Sequence, residues 1–443
     1  MATLTIRPGN PLAGHLSVPG DKSISHRVLM LGALANGVTE VRGWLPAGDT
    51  RATLSAVCNI GATVERHDDT TLSVHGGNLQ APDIPLDFVN AGTGIRLMAG
   101  VMAGLPFAAT LDGSAQLRRR PMTRVTDPLR QMGAAISDTD GKAPLHVSPA
   151  PLQGIHYTLP MPSAQVKSCI LLAGLFANGP TSVTEPGPGR DHTENMLRAM
   201  GVKLTVDGAT ITVQPAFRVD HTAHTLTPLA ELQPFDLTVP GDFSSAAFLI
   251  IAGALAAAAP ITLTGINTNP RRTGLLDVLA RMGATVEQSN PRDEGGEPVA
   301  DLIVAQHQLQ GTTVGGDEVV RMIDEFPALM VAATQAQGAT HVREAEELRV
   351  KETDRIAVMA DELRKMGATI DEQTDGFRVT GPQALRGAVV DAHDDHRIGM
   401  SLAIAALLAE GETTIQDAGC IHDSFPGFED ALTQLGVDLT WQN

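Results

Sequence analysis

The sequence predicts an α/β (α+β) protein of two domains, each made of three helix-and-strand units around buried helices. Three observations predict it. One phrase recurs six times, six further helices are apolar on every side, and the motif VPGD (18–21) returns at 239–242. The recurring phrase is a few helical residues, a glycine and the start of a strand. Its copies are AVCNIGATV (56–64), LRQMGAAI (129–136), LRAMGVKL (197–204), LARMGATV (279–286), LRKMGATI (363–370) and LTQLGVDL (432–439). The glycines fall at 61, 133, 201, 283, 367 and 436, so the period is 68–84 residues.

The fifth copy shows the physics. Ile356, Met359, Leu363 and Met366 make one apolar helical stripe. Gly367 follows where a helix C-cap needs positive φ. Ala-Thr-Ile then begins a β-prone run, DEQTDG (371–376) turns, and Phe377 and Val379 read as the returning strand. The fourth copy repeats this with Leu275, Leu279 and Met282 before Gly283. The second helix type lies between these copies: 23–37, 92–104, 163–179, 244–258, 325–338 and 396–411, each nearly apolar all round and therefore buried. Six units read as two domains of three, helices inside and sheets outside. The VPGD motifs place the break: 20–239 forms an inserted domain, and 1–19 with 240–443 a discontinuous one, the first strand (3–18) joining the C-terminal half.

Composition excludes several function classes. The chain has 443 residues, 43% of them apolar and 19% charged, which supplies a core and excludes disorder. A net charge of −18 argues against nucleic acid or anionic membrane as partner. Three scattered cysteines form neither a disulfide framework nor a CxxC metal site. MATLTIRPGN lacks the layout of a signal peptide, and the most apolar run, 246–259, is too short to span a bilayer. A cytoplasmic protein is expected.

The buried helices begin with unusual polar density. DKSISHR (21–27) sets Lys22, Ser23 and Arg27 at a helix start, with Ser23 able to cap, an arrangement that suits an anion. NAGTGIR (90–96) is a Gly-rich turn, neither a Walker loop nor a GxGxxG fingerprint; a tight strand-to-helix turn explains it equally. LRRRPM (117–122) reads as a solvated face unless its proline aims Arg120 inward. PSAQVKS (162–168) offers Ser163 and Gln165 to hydroxyl groups. PGRDHTE (188–194) holds Arg190 and His192; with no second histidine at ligand spacing, His192 reads as a cap or turn residue rather than a metal ligand. IDEFP (323–327) carries Asp324 and Glu325. In RVKETDR (349–355), Lys351, Glu352 and Arg355 share a face if helical, and a salt-bridge ladder is the alternative. DAHDDHR (391–397), with two His and three Asp, resembles a metal-binding cluster; the alternative is an N-cap cluster around Asp395 with Arg397 entering the helix. If these helix ends converge on a cleft, an acidic chain encloses a locally positive cavity for multiply anionic small ligands, with Asp324, Glu352 and Asp354 available for proton transfer.

Taken together, GDKSISHR, NAGTGIRL, RRRPM, SAQVKS, GDFSSA, IDEFP, RVKETDR and DDHRIGM resemble the 5-enolpyruvylshikimate-3-phosphate synthase family, in the same order from Pro19 to SFPGFE (424–429). The resemblance implies the enolpyruvyl transferase-like inverse α/β barrel: two domains of three βαβαββ units, with the active site in the cleft between them. It implies transfer of enolpyruvyl from phosphoenolpyruvate to the 5-hydroxyl of 3-phosphoshikimate with release of phosphate, in the shikimate pathway to chorismate and aromatic amino acids. No cofactor or metal is implied, and a monomer is expected. By the same resemblance, Asp324, Glu352 and Lys22 are catalytic, Asp324 as base on the 5-hydroxyl. Lys22, Ser23, Arg27, Ser163, Ala164, Gln165, Arg190, Asp324 and Lys351 bind 3-phosphoshikimate. Lys22, Gly92, Arg120, Gln165, Arg355 and Arg397 bind phosphoenolpyruvate.

The chain also departs from the pattern. Ala164 stands where many relatives have Ser, Leu97 where others have Pro, and CIHDSFPG (420–427) lacks a Lys found in some. Gly92 lacks the methyl group that blocks glyphosate in tolerant members, so some inhibition is expected. Two rivals remain: the sister enzyme that uses UDP-N-acetylglucosamine, which usually has Lys-Asn where Lys22-Ser23 stands, and a non-catalytic ligand sensor, whose signature would be loss of Asp324 or Glu352.

Overall fold

A computed structural model describes residues 2–229 and 232–442. The helices are α1 (Lys22–Leu34), α2 (Gly48–Asn59), α3 (Gly92–Gly104), α4 (Thr123–Gln131), α5 (Ala164–Gly174), α6 (His192–Ala199), α7 (Phe243–Ala256), α8 (Gly274–Arg281), the short α9 (Asp317–Arg321), α10 (Phe326–Gln335), α11 (Arg355–Lys365), α12 (His396–Leu407) and α13 (Phe428–Gln434). Contacts divide the chain into two compact units: Met1–Pro19, Pro240–Arg292 and Pro298–Asn443 form one, and Gly20–Val239 with Asp293–Glu297 the other.

Each unit has its own apolar core, lined by α1, α3 and α5 in the inserted unit and by α7, α10 and α12 in the discontinuous one. These are the six helices predicted to be buried. In α7 every residue from Phe243 to Ala254 is buried, because no face of FSSAAFLIIAGA carries a charge. α3 and α5 pack backbone to backbone: a Cβ added at Gly100 would lie 2.2 Å from the Cys169 carbonyl oxygen. The amphipathic helices α2, α4, α6, α8, α11 and α13 show the predicted stripe; Ile356, Met359, Leu363 and Met366 are all fully buried. The glycine after each takes positive φ: 107°, 95°, 84°, 91°, 89° and 100° at Gly61, Gly133, Gly201, Gly283, Gly367 and Gly436.

Among the described residues, six four-stranded sheets, three per unit, cover the helices, and the βαβαββ order recurs, as in Leu86–Asp87, α3, Ala109–Asp112, α4, Ala135–Thr139 and Lys142–Ser148. In Lys142–Ser148, Ala143, Leu145 and Val147 point inward while Lys142, His146 and Ser148 face water, the alternation of a one-sided strand. The expected single strand over 3–18 is two strands broken at Pro8-Gly9-Asn10. Thr3–Arg7 pairs between Thr413–Gln416 and Asp438–Gln442, and Leu12–Ser17 runs parallel to Ala257–Asn267. Leu237–Thr238 in turn completes the sheet of Val38–Arg42. Among the described residues no helix is long and apolar enough to cross a membrane.

Candidate active site

In the inserted unit the first turns of α1, α3 and α5 carry the polar residues. Asp21, not Ser23, caps α1: its carboxylate accepts the Ile24 N–H at 3.0 Å, because it precedes the first helical residue, whereas Ser23 already lies within the first turn. Lys22 reaches Asp49, Nζ to Oδ2 2.5 Å. Arg27 is buried; it donates from Nε to Thr193 Oγ1 at 2.7 Å, from Nη2 to Ser168 Oγ at 2.8 Å and from Nη1 to the Ser23 carbonyl at 2.8 Å. Burial pulls its pKa down to about 10, against the pull of Glu194 and Asp21, which leaves it charged at neutral pH. His26, fully buried and bonded through Nδ1 to Thr53 Oγ1 at 2.7 Å, is held well below its ordinary range, first by burial and then by Lys22 and Arg27.

Gly92 opens α3, whose first turn receives no side-chain cap. The Arg120 guanidinium lies over it: a Cβ there would sit 2.7 Å from Nη1 and 3.0 Å from Cζ. Arg118, by contrast, pairs with Asp112 at the surface, so the LRRRPM run divides into one solvated arginine pair and one arginine turned to α3. Ser163 caps α5 through the Val166 N–H at 3.4 Å. Gln165 accepts from Arg96 Nη1 at 2.6 Å and donates to Thr93 Oγ1 at 2.9 Å, while Arg96 Nη2 donates to the Pro121 carbonyl at 3.2 Å. Arg96 was not singled out in the sequence, yet it ties α3 to both Gln165 and the segment that carries Arg120. Arg190, half-buried, follows Gly189 in the loop before α6. His192 opens α6 with Nδ1 2.8 Å from Glu297 Oε1, both side chains fully buried.

The discontinuous unit assembles the carboxylates around Arg355. Its Nε lies 2.9 Å from Asp395 Oδ2, its Nη2 lies 2.6 Å from Glu352 Oε2, and its Nη1 lies 3.5 Å from Asp324 Oδ1. Arg397 Nε is 3.5 Å from the same Asp324 oxygen. Burial alone would lower the Arg355 pKa; Asp395 and Glu352 more than offset it, so the net shift is upward and the cation is permanent. Residues 351–354 are irregular and α11 begins at Arg355, so Glu352 reaches Arg355 from a loop and not along a shared helix face. Lys351 pairs with Glu347 at 3.3 Å, and burial lowers its pKa against the pull of Glu347. Asp354 caps α11 through the Ile356 and Ala357 N–H groups and pairs with Arg349, which gives it a structural role. Asp395 caps α12 through the Arg397 N–H at 3.0 Å, as expected. Beside Asp324, Glu325 accepts from Ser244 Oγ at 2.5 Å, and Arg272 holds both Ser244 and Asp242 at 2.9 Å. Arg272 carried no sequence signal; it lies 28 residues from Ser244 and meets it only in the fold.

Two arginines and three carboxylates share one cluster, which can hold an oxyanion while a carboxylate accepts a proton. Among the described residues no group of three His, Cys, Asp or Glu side chains is arranged to hold a metal ion.

The structure has the fold of the enolpyruvyl transferases. It matches the solved enolpyruvyl transferase NikO of Streptomyces tendae with a TM-score of 0.79 at 20% identity, over 100% of this chain and 99% of that one. The match to the EPSP synthase of Acinetobacter baumannii is stronger, with a TM-score of 0.88 at 40% identity over 100% of both chains. In sequence the chain is 49% identical to the 3-phosphoshikimate 1-carboxyvinyltransferase of Acidithiobacillus ferrooxidans, over 99% of each. It is 48% identical to that of Geobacter sulfurreducens, over 99% of this chain and 100% of the other. The EPSP synthase (3-phosphoshikimate 1-carboxyvinyltransferase) family model matches residues 6–432. The chain belongs to this family, the shikimate-pathway enzymes that transfer enolpyruvyl from phosphoenolpyruvate to shikimate 3-phosphate. The expected fold class and reaction are borne out.

Proposed function

We propose that the two residue sets act together on one pair of substrates, the two units closing on them. The inserted unit's Lys22, Ser23, Arg27, Ser163, Ala164, Gln165 and Arg190 take shikimate 3-phosphate, with Lys351 and Asp324 completing its site. Lys22, Gly92, Arg120, Gln165, Arg355 and Arg397 take phosphoenolpyruvate, and glyphosate competes there. Arg27 acts largely as a strut, since three of its N–H groups already serve Thr193, Ser168 and Ser23.

The observation that carries the chemistry is the placement of Asp324 and Glu352 on the same guanidinium, at 3.5 and 2.6 Å. Asp324 takes the 5-hydroxyl proton as that oxygen attacks C2 of phosphoenolpyruvate. Glu352 is engaged with the Arg355 guanidinium at 2.6 Å, and Lys22 is assigned the protonation of C3. The tetrahedral adduct then loses a methyl proton to Glu352 while the C2–O bond to phosphate breaks, and Asp324 returns its proton to the departing phosphate. Solvent restores Lys22 and Glu352. Turnover in D2O tests the assignment. Wild type should place deuterium in the product vinyl group, because the transient methyl group rotates. Glu352→Gln should accumulate the adduct, whereas Lys22→Met should not form it. An adduct from Lys22→Met and none from Glu352→Gln would reverse the roles.

The reading includes a cytoplasmic monomer. Three free cysteines, two of them buried, suit a reducing compartment.

A further inference from the structure

Lys167 is one of only six lysines in the chain and is fully buried on α5, one turn beyond Ser163. Its Nζ lies 2.7 Å from Glu194 Oε1 on α6 and 2.9 Å from Glu185 Oε2, just past the strand Thr181–Thr184. It also donates to the Gly189 carbonyl at 3.4 Å. A single ammonium group therefore ties the start of the loop 185–191, its middle, and the helix that follows. The next residue after Gly189 is Arg190.

The loop fits closely over this staple. A Cβ at Gly189 would come 2.9 Å from Glu185 Oε2 and 3.8 Å from the Ala164 nitrogen, so the loop backbone lies against both the buried carboxylate and the first turn of α5. The neighbouring rung repeats the connection: Ser168 on α5 accepts from Thr193 Oγ1 on α6 at 2.7 Å and from Arg27 Nη2 at 2.8 Å. Ion pairs so deeply buried are seldom favoured over well-packed apolar side chains on stability alone. What they supply is a fixed geometry.

We propose that Lys167, with Glu185 and Glu194, is a positioning residue that fixes the loop 185–191 and so aims Arg190 at the phosphate of shikimate 3-phosphate. The proposal rests on the reading of Arg190 as a contact for that substrate. Lys167 itself touches no substrate.

The test is a double-mutant cycle of Glu185→Gln and Arg190→Ala, read in steady-state kinetics on the full chain. Glu185→Gln keeps the Lys167–Glu194 pair and leaves a neutral acceptor in place. Gly189→Ala, which pushes on Glu185 with every charge intact, is the second probe should Glu185→Gln fold poorly. Either change should raise KM for shikimate 3-phosphate about tenfold, the worth of one misplaced charged hydrogen bond. It should leave kcat and KM for phosphoenolpyruvate within about twofold. In the Arg190→Ala background the same change should add nothing further. An equal increase in both backgrounds, or a fall in kcat with both KM values raised, overturns the positioning role. An Arg190→Ala enzyme with unchanged KM for shikimate 3-phosphate overturns the contact reading, and the proposal with it.

Discussion

Replacing Gly92 by alanine sets one methyl group against the guanidinium of Arg120. The new carbon would stand 2.7 Å from Nη1. Ordinary non-bonded separation is about 3.5 Å, so the guanidinium must retreat by roughly 0.8 Å. A charge-assisted hydrogen bond of about 2.8 Å, stretched by that much, ceases to be one. Its loss is worth about 1.5–3 kcal/mol, which corresponds to roughly 10- to 150-fold in affinity. The displaced group is the end of a flexible side chain and alanine favours a helix over glycine, so stability should hold or rise slightly. Initial-rate kinetics should then show KM for phosphoenolpyruvate and the inhibition constant of glyphosate both raised within that range, with KM for shikimate 3-phosphate unchanged. A folded Gly92→Ala enzyme with wild-type values for both would refute the placement of Arg120 on phosphoenolpyruvate.

Three further outcomes follow from the same geometry. Burial lowers the Lys351 pKa, so kcat/KM for shikimate 3-phosphate should fall on an alkaline limb below the usual lysine range; Lys351→Arg should move that limb upward, and an unmoved limb assigns it elsewhere. His26 is held below its ordinary 6.5 in the native state, so the unfolded chain binds the extra proton. Stability should therefore be intact above about pH 6.5 and fall by up to about 1.4 kcal/mol per pH unit below it; urea midpoints should show this, and His26→Asn should remove that part of the slope. Gly100→Ala would drive a methyl group into the Cys169 carbonyl at 2.2 Å, so the urea midpoint should drop by the equivalent of about 3 kcal/mol, and an unchanged midpoint would contradict the α3–α5 packing.

Periodicity made the architecture legible. All-round apolarity marked the six inner helices because burial on every side leaves no position for charge, and the six glycines marked a backbone turn that only positive φ completes. The polar motifs were legible as helix starts. Their partners were not, because pattern reports burial and leaves unsaid which distant residues meet. Arg27 read as one of the cations of an anion site at a helix start, yet Thr193, 166 residues away, takes its Nε–H. Lys167 passed as an ordinary part of PSAQVKS, since neither Glu185 nor Glu194 lies at helical spacing from it. The RVKETDR face dissolved because Asp354, by capping α11, ends the loop there and starts the helix at Arg355. The run 3–18 reads as one strand because both of its halves are β-prone; Pro8-Gly9-Asn10 breaks it, and each half pairs with a different sheet.

Release of phosphate from phosphoenolpyruvate and shikimate 3-phosphate, measured in EDTA for wild type and Asp324→Asn side by side, tests the central claim most directly. The account predicts metal-independent release by wild type that requires shikimate 3-phosphate, is not supported by UDP-N-acetylglucosamine, and falls by about 100-fold or more when the base is lost. Equal release by a folded Asp324→Asn enzyme, or release only with the sugar nucleotide, would contradict it.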